Sequence, residues 1–182
     1  MLNEEAADVL AFWFGQLTPE QRFKRDEALD AWIRERFGEL HARLAAHVPD
    51  DWLDNPGDLL AAVIVLDQFS RNLYRDDPHA FASDAMALNL AQLALRRGYD
   101  ELLSPDELKF LYMPFMHSED PDHQDRCVEL MEEIGDAEAA DFARRHKAII
   151  DRFGRFPHRN DVLGRECTPE ELEFLKQPGS RF

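Results

Sequence analysis

Arg152, Arg155, Arg159 and Arg165 crowd into one short run of an acidic chain, together with His158, Asn160, Phe153 and Phe156. The chemistry open to such a run is anion recognition and proton transfer. A guanidinium makes planar, bidentate hydrogen bonds to a carboxylate or a phosphate. An imidazole changes charge near neutral pH and can carry a proton to or from a bound group. Three other places hold polar groups among apolar neighbours. His117, Ser118, Glu119 and Asp120 directly follow the apolar stretch Leu108–Met116. Asp67 and Arg71 stand one helical turn apart, with Asn72 next to the arginine. His146 lies in the middle of a helical face formed by Phe142, Ile149, Ile150 and Phe153.

Two readings follow from these residues. In the first, the arginines meet internal acids, with Asp67, Glu119 and Asp120 as the candidates, and the segment staples helices together. The protein is then a helical module that binds a partner protein, and its charged cluster is purely structural. In the second, Asp67, Arg71, Asn72, Glu119, His146, Arg155, Arg159 and Asn160 surround a small anionic molecule. Asp67 would orient an arginine, and His117 or His158 would do acid–base work if the protein is an enzyme. Nothing in the chain fixes a reaction. There is no G-x-S-x-G, Walker loop, G-x-G-x-x-G or H-E-x-x-H. Glu119 and His123 are four residues apart, but this falls short of a metal-site pattern, so neither metal nor cofactor is expected. Cys127 and Cys167 have no metal-type spacing and read as reduced thiols.

The elements that must position these groups are helical. Apolar residues recur at helical spacing throughout, and no stretch alternates for long. The start and stop signals predict about eight helices in antiparallel pairs, in one all-α domain over residues 1–182. Thr18-Pro19, Ser104-Pro105 and Thr168-Pro169 each read as an N-cap followed by proline, and Gly98, Gly135 and Gly154 read as stops. A break is expected near Asp26. On a helical wheel, Leu59, Leu60, Val63, Ile64, Leu66 and Tyr74 form an apolar arc that includes Asp67 and Ser70. Gln68, Asn72 and Arg75 fall toward the other side. Pro114 removes one backbone hydrogen bond inside the helix that leads to His117.

Bulk composition narrows the partners. The net charge of −16 opposes general binding to nucleic acid or to anionic membrane surfaces. The apolar run Leu59–Leu66 is far shorter than a membrane span, and Met1–Glu5 has no basic leader, so a cytoplasmic location is expected.

Four blocks carry a resemblance. They are Val9–Gly15, Leu66–Arg75, Tyr112–Asp120 and Arg152–Asn160. Together the chain resembles a bacterial family catalogued as domain of unknown function 924. The resemblance implies an all-helical fold related to the tetratricopeptide-repeat superhelix, and no established activity. The chain shows no 34-residue repeat consensus, so groove binding of peptides is not implied. The blocks contain Asp67, Arg71, His117, Glu119, Arg155, His158 and Arg159, the polar residues picked out above on chemical grounds.

Overall fold

The computed structural model describes residues 2–181, which form helices and turns with no strand among them. The chain packs as two compact units. One takes in Met1–Arg75 and His79–Pro114, the other Asp76–Pro78 and Phe115–Phe182.

In the first unit, α1 (Glu4–Leu10) starts where the Asn3 side chain accepts the Glu5 N–H. The sequence places its end at Gly15, but the helix continues there as a π-helical turn, Ala11–Gln16. A capping box of Thr18 and Gln21 opens α2 (Pro19–Phe23). Asp26 then caps α3 (Glu27–Ala46), so the break falls where the sequence suggests it. The short α4 (Asp50–Leu53) carries the buried Trp52. Asn55 caps α5 (Pro56–Ile64), a second π-helical turn follows at Val65–Phe69, and α6 (Ser70–Leu73) completes the rod. The two π-helical turns meet through their aromatic residues, with Phe69 edge-on to Phe12 at 6.2 Å and to Trp13 at 5.6 Å. α7 (Asp84–Arg96) and α8 (Pro105–Met116) follow, and helix α8 continues through Pro114.

In the second unit, α9 (Pro121–Ile134) and α10 (Ala137–Phe153) form an antiparallel hairpin. Gly135 takes φ 80°, and Asp136 caps the next helix. Ion pairs between Glu132 and Arg144 and between Asp125 and Lys147 run across the pair in antiparallel register. Gly154, at φ 69°, ends α10 and releases the arginine-rich segment. That segment makes a 3-10 turn at Pro157–Arg159 and leads to α11 (Pro169–Phe174). Phe156 pins it down: the ring is fully buried with Ile149 and Ile150, against Phe153 and Phe174. Burial of such a side chain contributes about 1.5–3 kcal/mol. Among the described residues, no helix is long and apolar enough to cross a membrane.

Candidate functional site

The polar residues flagged in the sequence fall into two groups, one in each unit. Asp67 lies in the second π-helical turn and is fully buried. Its carboxylate meets Arg71 at 3.2 Å and accepts a 2.6 Å hydrogen bond from the Gln68 amide. Arg71 also donates to both oxygens of Asp84, at 2.9 and 3.1 Å. Burial works against the Arg71 charge, but Asp67 and Asp84 outweigh it and hold the guanidinium above its ordinary pKa. Asn72 donates to Asp30 at 2.7 Å, and Arg75 binds the same carboxylate through two nitrogens.

The helical wheel sets Gln68 and Asn72 toward the side away from the apolar arc, yet both are buried. The cause is the π-helical turn. Its wider hydrogen-bond loop inserts one residue and rotates everything after it away from 100° per residue. The same rod places Ser70 against His41, with 2.7 Å between Oγ and Nε2. Ser70 spends its only proton on the Leu66 carbonyl at 2.6 Å, so His41 is the donor of this pair. The arrangement therefore does not activate the serine as a nucleophile. Burial lowers the His41 pKa, which fits a neutral imidazole.

The second unit holds the other group. Gln124 is fully buried and donates its amide to the carbonyls of Met116 and Ser118, both at 2.7 Å, closing the end of α8. The chain beyond carries His117, which is half-buried, and Glu119. Both Glu119 oxygens are engaged. Oε1 accepts the Phe156 N–H at 2.8 Å, and Arg165 reaches the two oxygens at 2.7 and 2.9 Å. Burial pushes the Glu119 pKa up, but the Arg165 and Phe156 bonds outweigh it and the carboxyl ends below its usual range.

Arg155 binds Glu171 through two nitrogens at 2.7 and 2.8 Å, and Arg152 binds Glu170. Asn160 donates to Glu171 and to the Cys167 sulfur, both at 3.3 Å, and accepts from Arg165. The Arg155 bond, opposed by burial and helped by the Thr168 N–H, holds Glu171 down at about 2. Three of the four arginines are thus tied into ion pairs that fasten the segment to α11 and to the turn before α9.

Arg159 points elsewhere. It is buried, its Cζ lies 4.7 Å from the centre of the Phe156 ring, and Nη2 donates to the His117 carbonyl at 2.9 Å. Two imidazoles lie near the same phenyl ring, and a third lies near one of them. His146 meets it edge-on at 5.6 Å, His158 lies 5.8 Å away, and His117 is 6.4 Å from His146. His146 Nδ1 donates to the Phe142 carbonyl at 2.8 Å, the role open to a neutral ring. Burial is the main cause that holds His146 down at about 3, with His117, His158 and Arg159 adding to it. Burial, then Arg159 and Arg181, bring His158 to about 4, with Glu119 acting against them.

The profile of a family described as bacterial protein of unknown function (DUF924) matches residues 9–179. The chain belongs to this family. No curated protein matches it. A solved structure of a protein of unknown function from Agrobacterium tumefaciens is 40% identical, with a TM-score of 0.90, covering 94% of this chain and 97% of that one.

Of the DUF924 residues named from the sequence, Asp67, Arg71 and Asn72 lie in the first unit's buried network. His117, Glu119, His146, Arg155, His158, Arg159 and Asn160 gather in the second. Sequence reasoning missed Glu171 as the partner of Arg155, because its spacing from Thr168 already explained it as a capping residue. It does both jobs, with Oε2 taking the Thr168 N–H and Arg155 together. It also missed Asp30 and Asp84, which are remote in sequence from the arginines they bind.

Proposed function

We propose that this DUF924 protein binds a small anion in its second unit, at His117, His158 and Arg159. The observation that carries the reading is the placement of the half-buried His158 ring 5.8 Å and the buried Arg159 guanidinium 4.7 Å from the Phe156 ring, with Arg159 bound to the His117 carbonyl at 2.9 Å. Ring N–H groups and a guanidinium together supply directional donors and positive charge, the two things an oxyanion needs when it leaves water. The ion pairs of Arg152, Arg155 and Arg165 support it by holding this wall in place without a ligand. His117 and His158 are also the groups that could pass a proton to a bound molecule.

A thermal-shift panel of phosphate, sulfate and small carboxylates tests the reading. A ligand at one hundred times its Kd stabilises by about 2.7 kcal/mol, which raises the melting temperature by several degrees. The same ligand should move the His117 and His158 ring signals in an NMR spectrum. If no anion shifts either readout at saturating concentration, the proposal fails and the cluster is purely structural.

A further inference from the structure

Helix α11 is held by charge more than by apolar burial. Among its residues only Glu171 is buried and Phe174 half-buried, while Pro169, Glu170, Leu172 and Glu173 are exposed. A helix of six residues has little stability of its own and depends on what it packs against. Here that is one carboxylate contact and one ring contact. Glu171 Oε1 accepts from Arg155 Nε at 2.7 Å, and Oε2 accepts from Arg155 Nη2 at 2.8 Å and from Asn160 Nδ2 at 3.3 Å. The Phe174 ring lies 5.0 Å from that of Phe153. A further link, Arg152 to Glu170, is exposed on both sides and adds little.

The other half of this contact is built without α11. Backbone hydrogen bonds from Asn160 to Pro157, Leu163 to Arg159 and Arg165 to Asn160 close the turn 157–165 on itself. The Arg165 guanidinium donates to Asn160 Oδ1 at 2.9 Å, which turns the amide so that Nδ2 faces Glu171. Arg165 is fixed in turn by Glu119, and Arg155 also donates to the Glu166 carbonyl, ahead of α11. Because Arg155 and Asn160 reach the same carboxylate, their donors converge on one place. The Phe153 ring meets the residue three positions beyond that acid.

We propose that α11 is a built-in occupant of a receptor made by Arg155, Asn160 and Phe153, displaced by a helical segment of a partner protein that carries an acid followed three residues later by an aromatic. The strap keeps the receptor covered until such a partner takes its place. The class of occupant follows from α11 itself: a carboxylate for the guanidinium fork and the amide, and a ring at i+3, which a helix sets on the same face. This reading is independent of anion binding at His117, His158 and Arg159.

A capped peptide of residues 168–176 is the probe, added unlabelled to the isotope-labelled full chain. Hydrogen exchange followed by NMR reports on the strap through the Leu172 and Leu175 amides, which bond to the Thr168 and Glu171 carbonyls. The Ile149 and Ile150 amides report on α10. Without peptide the strap amides should exchange at least about a hundredfold faster than those of α10, since a weakly packed element opens by itself. A tethered helix has an effective concentration of millimolar order, so peptide at about that concentration should displace α11 in about half of the chains. The strap amides then lose nearly all protection, and those of α10 keep theirs. Peptide carrying Glu171→Gln should leave the strap protected. The proposal is overturned if the strap amides exchange together with α10, if peptide at about ten times that concentration leaves them protected, or if the Gln peptide works as well as the native one.

Discussion

At the scale of single residues, the acid limb of stability belongs to a few side chains whose shifts have opposite origins. His146 and His158 have folded-state pKa values near 3 and 4, below the ordinary 6.5 of an unfolded imidazole. Between those limits the unfolded chain binds more protons than the folded one, so stability rises with pH. Their contribution is fully present above about pH 6.5 and is lost as the pH falls toward 4 and then 3. Each histidine can add a slope of up to about 1.4 kcal/mol per pH unit. Glu171 acts in a lower window: its folded pKa is near 2 against 4.5, so its contribution disappears as the pH falls from 4.5 to 2. Urea denaturation at half-unit steps from pH 7.5 to pH 4.5 should give a steadily decreasing midpoint. In His146→Leu the slope should be shallower by the share of one proton. An unchanged slope in that variant would mean that His146 takes up its proton in the native protein over the same pH range as in the unfolded chain.

At the scale of elements, the π-helical turn at Val65–Phe69 governs which side chains face inward, and this explains what the sequence could and could not reveal. Asp67 and Ser70 are legible as inward-facing because they fall within the apolar arc of the helical wheel, and both are fully buried. Gln68 and Asn72 are not, since the extra residue in the turn changes the angular step and no residue type announces it. Caps were legible for the opposite reason: Thr18 and Thr168 act within three residues of themselves, so spacing alone identifies them. Pairs such as Arg75 with Asp30 join residues 45 apart, and no local pattern encodes them. The buried pair at the π-helical turn has a large expected effect. Asp67→Ala takes from Arg71 one of its two carboxylates and leaves it Asp84 and the residue 67 carbonyl, and should cost up to about 3–5 kcal/mol, whereas Asp67→Asn, which keeps a hydrogen-bonding side chain, should cost less. At the end of α8, Gln124→Ala strands two carbonyls and should cost about 1–3 kcal/mol. Chemical denaturation of the three variants ranks them. A loss below 1 kcal/mol for Asp67→Ala would show that the pair's desolvation cancels its attraction.

At the scale of the whole molecule, a chain with a net charge of −16 carries a local group of arginines and histidines. The two act over different distances. At 0.15 M salt the Debye length is about 8 Å, so a small ion beside Arg159 feels mainly the groups it touches. A polyanion cannot escape the remainder of the surface. Duplex DNA presents a charge about every 1.7 Å along its axis, and contact over several turns sets many phosphates against Asp and Glu side chains. Proteins that bind DNA through their charge do so more tightly as salt is lowered. Here lower salt lengthens the range of repulsion and should weaken any contact instead. The expected outcome is that a labelled 20-base-pair duplex gives no rise in fluorescence anisotropy at 0.05 M salt, where basic proteins bind most tightly. Under the same conditions sulfate should still move the His158 signal. Saturable DNA binding that falls away as salt is added would show that the cationic segment presents itself as an open basic surface, and its arginines could not then be held by Glu119, Glu170 and Glu171 as they are here.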